Sequence, residues 1–329
     1  MIGTLVIIPI TVAIHLAATF PIYLHLGPYT IHPHLFFESL SYIIAFCIYL
    51  ALRRRFGDPV PTPLRWAVVA AAVAGAALGA KLLFFLEDPS LTLANLHNPA
   101  YFIGGKTIVG ALAGGLLAVE LMKRYIGLRT STGDLYAIPL AAGIAIGRIG
   151  CFLTGLPDNT YGIPTTLPWA VDFGDGIPRH PTQLYEIVFL VALIPFLFVV
   201  LNRIQAGVPH FSPRPLRREV GILAASKMES VILSEASSQR SEEDAQSKDL
   251  YPHSKSVPQR QLAEARLQPG DAFKLFMLAY MTFRLLADFL KPYPRIFLGL
   301  GGIQWVCVLI LLYYSQDVLR WLKLRPRPV

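Results

Sequence analysis

The chain has 329 residues, of which 54% are hydrophobic and 15% charged, with a mean hydropathy of +0.50. Ordinary soluble domains carry about a quarter charged residues, so that class is excluded and a membrane chain is expected. The formal charge of +8 does not point to nucleic acid, because the cations sit in short clusters between apolar runs rather than in a stripe interleaved with aromatics.

From the N-terminus, Met1 to Tyr23 is apolar but lacks a charged leading region and a small-x-small cleavage site. It reads as an interfacial or re-entrant helix within a segment 1–26, with an eighth span as the alternative. Runs of about 17 to 25 apolar residues are long enough to cross the hydrocarbon as helices. Seven are expected, over about 35–52, 66–86, 107–123, 135–154, 183–202, 272–290 and 298–316. The fold class is therefore an all-α integral membrane protein, with five spans in a core over 27–203 and two more, plus a basic tail, over 271–329. Between them, residues 204–270 turn to Ser, Gln, Glu, Lys and Arg and cannot bury enough apolar surface to offset ordering; a disordered cytoplasmic insert is expected.

Loop charges set the orientation. Arg53, Arg54, Arg55 and Arg65 follow the first expected span, Lys123, Arg124 and Arg129 the third, Arg203 the fifth, and Arg320, Lys323, Arg325 and Arg327 the last. The intervening loops have no such excess of cations, which puts the first end outside and the C-terminus in the cytoplasm. Cys47, Cys151 and Cys307 lie within or at the ends of apolar segments without CxxC spacing, and suggest neither a disulfide framework nor a zinc site.

Chemistry is sought among polar groups at membrane depth, where an ionised side chain costs a few kcal/mol and faces a polar cavity, a partner or a lipid headgroup. These are Glu38, Lys81, Lys106, Arg148, Arg284 and Asp288, with the HPTQLYE segment, His180 to Glu186, opening the fifth span. Arg284 and Asp288 are spaced i and i+4 with Tyr280 one turn earlier, a polar stripe that fits either a site or a structural ion pair. Gln183 and Glu186 lie one turn apart behind His180 and Pro181. The stretch GGKTIVGALAGG lacks the Walker spacing and runs into an apolar helix, so Gly110 and Gly114 read as close-packing positions rather than a nucleotide loop.

GRIGCFLTG, then RHPTQLYE, then RLLADFLKPYP with GGIQW, in that order, resemble the prolipoprotein diacylglyceryl transferases. Supporting matches are GPYTIHPHLFF, GAKLLFFLEDP and GGKTIVGALAGGLLAVE, and the resemblance covers roughly 27–203 and 272–316. It implies a multi-pass enzyme of the bacterial plasma (inner) membrane with seven spans and no metal or soluble cofactor. Its partners would be phosphatidylglycerol, or a similar anionic phospholipid, and a lipobox-containing prolipoprotein, with no nucleic acid; it would move the diacylglyceryl group to the lipobox cysteine and release glycerol phosphate. Arg148 and Arg284 match the family's arginines and would hold the phosphate together. Lys81 matches a position usually basic, and Lys106, Gln183, Tyr185, Glu186, Tyr280 and Asp288 would complete the substrate site.

The chain departs from the family pattern on the thiol side. The family's histidine before a Gly-Gly pair falls at Val109, and its two asparagines and glutamate after Arg-x-Gly fall at Cys151, Thr154 and Leu156. The family's tyrosine near the first span has His34 as its nearest counterpart, and the acid after Arg284 is Asp288 rather than glutamate. An active transferase would need His180 or His34 as the replacement base. A non-catalytic anionic-lipid-binding relative and a small-solute transporter are the alternatives, the latter without the inverted repeat and paired broken helices of transporters.

Overall fold

The computed structural model describes residues 20–58, 60, 62–207, 267–295 and 297–323. The expected interfacial segment therefore lies almost wholly, and the expected insert largely, outside the described residues. The chain divides into two compact units, residues 1–203 with 267–329 and residues 204–266. The first holds everything that bears on the site.

A short hairpin pairs β1 (Leu24–Leu26) with β2 (Tyr29–Ile31), its two-residue turn made by Gly27 at φ +61° and Pro28. Pro33 then opens α1 (Pro33–Phe56), where its missing N–H costs nothing, and Arg53 to Arg55 close it against the negative end of the helix dipole. Helix α2 (Thr62–Glu87) is rich in alanine and glycine; two short helices, α3 (Pro89–Ala94) and α4 (Pro99–Ile103), lead to α5 (Ile108–Tyr125) and α6 (Asp134–Thr154). A 3-10 turn over Leu156–Asp158 and a two-stranded pair, β3 (Val171–Asp172) with β4 (Pro178–Arg179), precede α7 (Thr182–Gly207). After the insert come α8 (Asp271–Ala287), a 3-10 turn over Asp288–Leu290, α9 (Gly302–Tyr313) and α10 (Ser315–Lys323).

Two helix pairs frame the molecule: α2 lies along α5, and α1 along α6. The first pair meets through glycines. A Cβ at Gly79 would sit 2.3 Å from the Gly110 carbonyl oxygen, and one at Gly114 would sit 2.2 Å from that of Gly75, so only glycine permits this approach. Helix α8 packs on α6 and α9, and α9 reaches back to α2 and α5. Carboxylates from one helix close the starts of others: Asp134 Oδ1 accepts from the backbone N–H of Ala272 at 3.1 Å, and Glu87 Oε2 from that of Ile303 at 2.7 Å.

Large apolar side chains such as Phe46 and Ile43 on α1, Leu78 and Leu82 on α2 and Val188 on α7 point outward, the pattern of a surface solvated by lipid. Among the described residues, four helices are long and apolar enough to cross a membrane, and a fifth span is added if α9 and α10, bent by 46°, count as one. The two remaining expected spans fall short for separate reasons. Helix α5 carries Glu120, Lys123 and Arg124 within its 18 residues. Helix α8 has 17 residues, roughly 26 Å at 1.5 Å per residue against a hydrocarbon thickness near 30 Å.

Candidate active site

Helix α6 ends where Gly155 turns the chain at φ +71°, and its last two turns bring Arg148, Cys151 and Thr154 inward. Glu186 stands one turn into α7, and Arg284 one turn before the end of α8. All three charged groups are buried, with Arg148, Glu186 and Arg284 exposed by 5%, 1% and 3%. They meet at a single carboxylate. Glu186 Oε2 lies 2.8 Å from Arg148 Nε and 3.1 Å from Arg284 Nη1, while Glu186 Oε1 accepts from the Tyr280 hydroxyl at 2.6 Å. Arg284 Nη2 also donates to Asp288 Oδ1 at 2.8 Å, and Lys291 Nζ is 3.8 Å from that oxygen.

Three cations thus face two carboxylates. The surplus positive charge is costly in a dry site unless an anion neutralises it or one of the cations gives up its proton. Lys291 registers the strain: its ammonium is pushed down to about 7, first by burial and then by the Arg284 and Arg148 charges.

Arg148 is the member of this cluster that also lines a large cavity of 1820 Å³ between the two helix pairs. The middle of the cavity is walled by small residues, among them Ala72, Ala76, Ala111 and Gly143. His34, Glu38, Lys106, Arg148, Cys151 and Asp158 collect at one end, and Glu120, Lys123 and Arg129 at the other. At the Arg148 end, His34 Nδ1 is 2.8 Å from Asp158 Oδ1 and His34 Nε2 is 3.5 Å from Glu38 Oε2. Glu38 also pairs with Lys106 and accepts from the Tyr42 hydroxyl. Thr160 Oγ1 donates to Asp158 Oδ2 at 2.5 Å, and Arg148 Nη1 approaches Cys151 Sγ at 3.7 Å. Burial would raise the Asp158 carboxyl, but hydrogen bonds from His34 and Thr160, with the charges of His34 and Arg148, hold it below the usual carboxylate range.

The residues singled out from sequence separate into groups. Arg148, Glu186, Tyr280, Arg284 and Asp288 form one cluster, but Arg284 is not among the cavity-lining residues; it reaches Arg148 through Glu186. Two arginines side by side on one phosphate are therefore not what the fold arranges, because the shared carboxylate stands between them. Lys81 lines the cavity, yet its ammonium donates to the backbone oxygens of Phe102, Ile103 and Gly105 at 2.8 to 2.9 Å, and to that of Gly104. It ties down the segment after α4. Lys106 reaches the cavity wall paired with Glu38.

His180 does not line the cavity: its Nδ1 is 3.1 Å from the Tyr185 hydroxyl, which in turn accepts from Trp169 Nε1 at 2.8 Å. Of the two candidate bases, His34 is the one on the cavity. Gln183 is buried and donates to Thr160 Oγ1 at 3.2 Å, so it supports Asp158 at one remove. Val109 is 1% exposed within the hydrophobic core. Asp158, Thr160 and Lys291 were not legible as site residues, since each lies in a connecting segment with ordinary loop composition.

Outward-facing apolar helices around a deep cavity, with a buried guanidinium–carboxylate cluster at one end, define an integral membrane protein. The family model described as prolipoprotein diacylglyceryl transferase matches residues 21–212, more than half of the chain, and the chain belongs to that family. Its curated relatives carry the name phosphatidylglycerol–prolipoprotein diacylglyceryl transferase. That of Bordetella parapertussis is 35% identical over 179 residues, 51% of this chain and 65% of the relative. That of Methylococcus capsulatus is 33% identical over 199 residues, 55% of this chain and 70% of the relative. The relative from Polynucleobacter asymbioticus is 29% identical over 308 residues, 88% of this chain and 90% of its own length. The match thus spans just under two thirds of the Bordetella protein and nine tenths of the Polynucleobacter one.

Proposed function

We propose that this chain transfers the diacylglyceryl group of phosphatidylglycerol, or of a similar anionic phospholipid, to the lipobox cysteine of a prolipoprotein in the bacterial plasma membrane. The observation that carries the proposal is Arg148: a buried guanidinium on the cavity wall, held by Glu186 in a cluster with Arg284, Asp288 and Lys291. The acceptor sulfur attacks the glycerol carbon that bears the phosphate ester. A C–S bond forms, the C–O bond breaks, and the electron pair leaves on the phosphate oxygen as glycerol phosphate. Arg148 stabilises that charge in a dry, preorganised site, where such stabilisation is largest. Arg284 and Lys291 act behind it through the field, and Glu186 fixes the direction of the Arg148 side chain. The acyl chains lie among the small residues of α2, α5 and α6.

Seven spans, with the first end outside and the C-terminus in the cytoplasm, are the arrangement that accompanies this reading. The alternation of the Arg53–Arg55 cluster, Lys123 with Arg124, and Arg320 with loops that carry no comparable excess of cations supports it. It puts the Arg148 end of the cavity on the outer side, where prolipoproteins emerge, and residues 204–270 in the cytoplasm.

The test is direct. Purified protein in phosphatidylglycerol micelles, given a lipobox peptide, yields a peptide heavier by one diacylglyceryl group together with free glycerol phosphate. Neither product forming would sink the proposal. Val109 in the position of the family histidine favours a second reading, a lipid-binding relative without turnover. That reading expects anionic lipid to bind, and Arg148 variants to bind it less, with no product from any variant.

A further inference from the structure

One cluster at the cavity wall takes no part in holding the phosphate. His34 at the start of α1, Cys151 at the end of α6 and Asp158 in the 3-10 turn each present a donor atom within 4.8 Å of the others. All three line the cavity. It is the one such grouping of histidine, cysteine and carboxylate among the described residues. We infer that His34, Cys151 and Asp158 form a site for a borderline-soft divalent metal ion of the zinc type, its fourth position open to the cavity and to the thiol of the acceptor.

The donor set fits this ion. Imidazole nitrogen, thiolate sulfur and carboxylate oxygen are the three ligand types that zinc takes, and three protein ligands with an open position mark a catalytic rather than a structural site. Bonds of roughly 2.0 to 2.3 Å in a tetrahedron put donor atoms roughly 3.3 to 3.7 Å apart. His34 Nδ1 and Asp158 Oδ1, now 2.8 Å apart with a proton between them, need to part by less than an ångström, and the sulfur, within 4.8 Å of both, to close by up to about 1.5 Å.

Each donor is already held from behind, as ligands of catalytic metals are. The other ring nitrogen of His34 faces Glu38 Oε2 at 3.5 Å, the second oxygen of Asp158 accepts from Thr160, and Cys151 Sγ lies 3.7 Å from Arg148 Nη1. Charge also balances. The thiolate and Asp158 neutralise a divalent ion, Glu38 neutralises Lys106, and Arg148 stays available to the phosphate.

The role of the ion rests on the transferase reading; the existence of the site does not. Where the family places a histidine, this chain has Val109 packed in the core, so no side chain there can take the acceptor's proton. A thiol that binds the metal gives up its proton, here to water at the cavity mouth. The bound sulfur then uses its electron pair to form the C–S bond as the C–O bond to phosphate breaks and glycerol phosphate leaves beside Arg148. The thioether product carries no charge, binds the metal weakly and departs.

The experiment uses the full chain in detergent micelles, treated with chelator and then titrated with Co²⁺. The expected result is a thiolate-to-cobalt charge-transfer absorption that saturates at one equivalent per chain and is displaced by Zn²⁺. Cys47→Ser, which alters an exposed cysteine, keeps the band, and Cys151→Ser loses it. Asp158→Asn retains the sulfur and therefore the band, but with affinity lowered at least tenfold, so the conclusion does not hang on the folding of one variant. No saturable band in the native chain, or a band that survives in Cys151→Ser, overturns the site.

Transfer to the lipobox peptide separates the two levels of the proposal. Chelation should lower it at least tenfold and Zn²⁺ restore it. Full turnover after chelation, with His34 and Asp158 acting as a metal-free base, overturns the metal's role and leaves the transferase standing. A saturable, Cys151-dependent band with no transfer under any metal supports the site and removes the transferase.

Discussion

Replacing Glu186 with glutamine removes one charge and almost no volume, and the structure places that charge between two guanidinium groups and a phenol. Glu186 Oε2 is the shared partner of Arg148 and Arg284, at 2.8 and 3.1 Å, and Oε1 accepts from Tyr280. A glutamine with its oxygen toward the arginines and its N–H toward the Tyr280 hydroxyl, which can accept, keeps the three contacts but loses the charge that holds both guanidinium groups. The cluster loses one of its two carboxylates, which leaves Asp288 alone to balance Arg148 and Arg284 and drives Lys291 further toward its neutral form. Breaking buried pairs in this way costs about 3 to 5 kcal/mol, which corresponds to a melting temperature lower by roughly 4 to 7 °C for a protein of this size. The same surplus makes the variant more responsive to anions. Phosphatidylglycerol, bound in excess, should raise the melting temperature of Glu186→Gln by more than it raises that of the native chain, whereas a zwitterionic lipid should not. Melting in detergent with each lipid is the assay. Native-like melting of the variant, or equal stabilisation of both proteins by the anionic lipid, would refute the picture of Glu186 as the group that balances and aims the arginines.

Arg148→Gln removes a charge-assisted contact at the cavity wall, worth about 1.5 to 3 kcal/mol, and should weaken phosphatidylglycerol binding at least tenfold; Arg284→Gln should lower the melting temperature with a smaller effect on binding. Equal losses of affinity would place both arginines on the phosphate. Lys291, held near 7 in the fold, gains its charge as pH falls through that value, so anionic-lipid affinity should rise below pH 7 and Lys291→Met should flatten the dependence. Between pH 7 and the ordinary lysine range the unfolded chain holds a proton that the folded chain lacks; stability therefore increases with pH across that window, and the same variant abolishes the slope. Gly79→Val on α2 puts a Cβ 2.3 Å from the Gly110 carbonyl oxygen, and forcing α2 from α5 should cost at least 1 to 3 kcal/mol, read as a lower melting temperature.

The glycines of α2 and α5 illustrate what was legible. Small residues one turn apart on an apolar run announce close helix packing, and Gly110 and Gly114 pack in that way, while their partners Gly75 and Gly79 on α2 were identified only by the fold. Expected helix boundaries were close where composition changed sharply: the expected span at 135–154 is α6 (Asp134–Thr154). Arg284 and Asp288 share a helix face and pair, as their i, i+4 spacing allows. Depth was less legible. Lys81 looks like a substrate cation in sequence, but the turn after α4 wraps carbonyls around its ammonium, and no pattern of residue types foretells a partner made of backbone. His180 looked as good a base as His34, and only the course of the chain turns one toward Tyr185 and the other onto the cavity.

By itself, the sequence determined that the chain belongs in a membrane, roughly where its apolar helices lie, and which charges are exceptional there. Both follow from solvation: apolar runs are stable in hydrocarbon, and a guanidinium or carboxylate inside such a run must have a reason, whatever its neighbours in space. The tertiary structure alone decided which of those charges face the cavity, that Glu186 stands between Arg148 and Arg284, and that His34, Cys151 and Asp158 meet. Those three side chains come from the start of one helix, the end of another and a connecting turn, with no common spacing. Their meeting depends on α1 packing along α6, and contacts between distant segments are set by the packing of whole helix faces rather than by any local pattern.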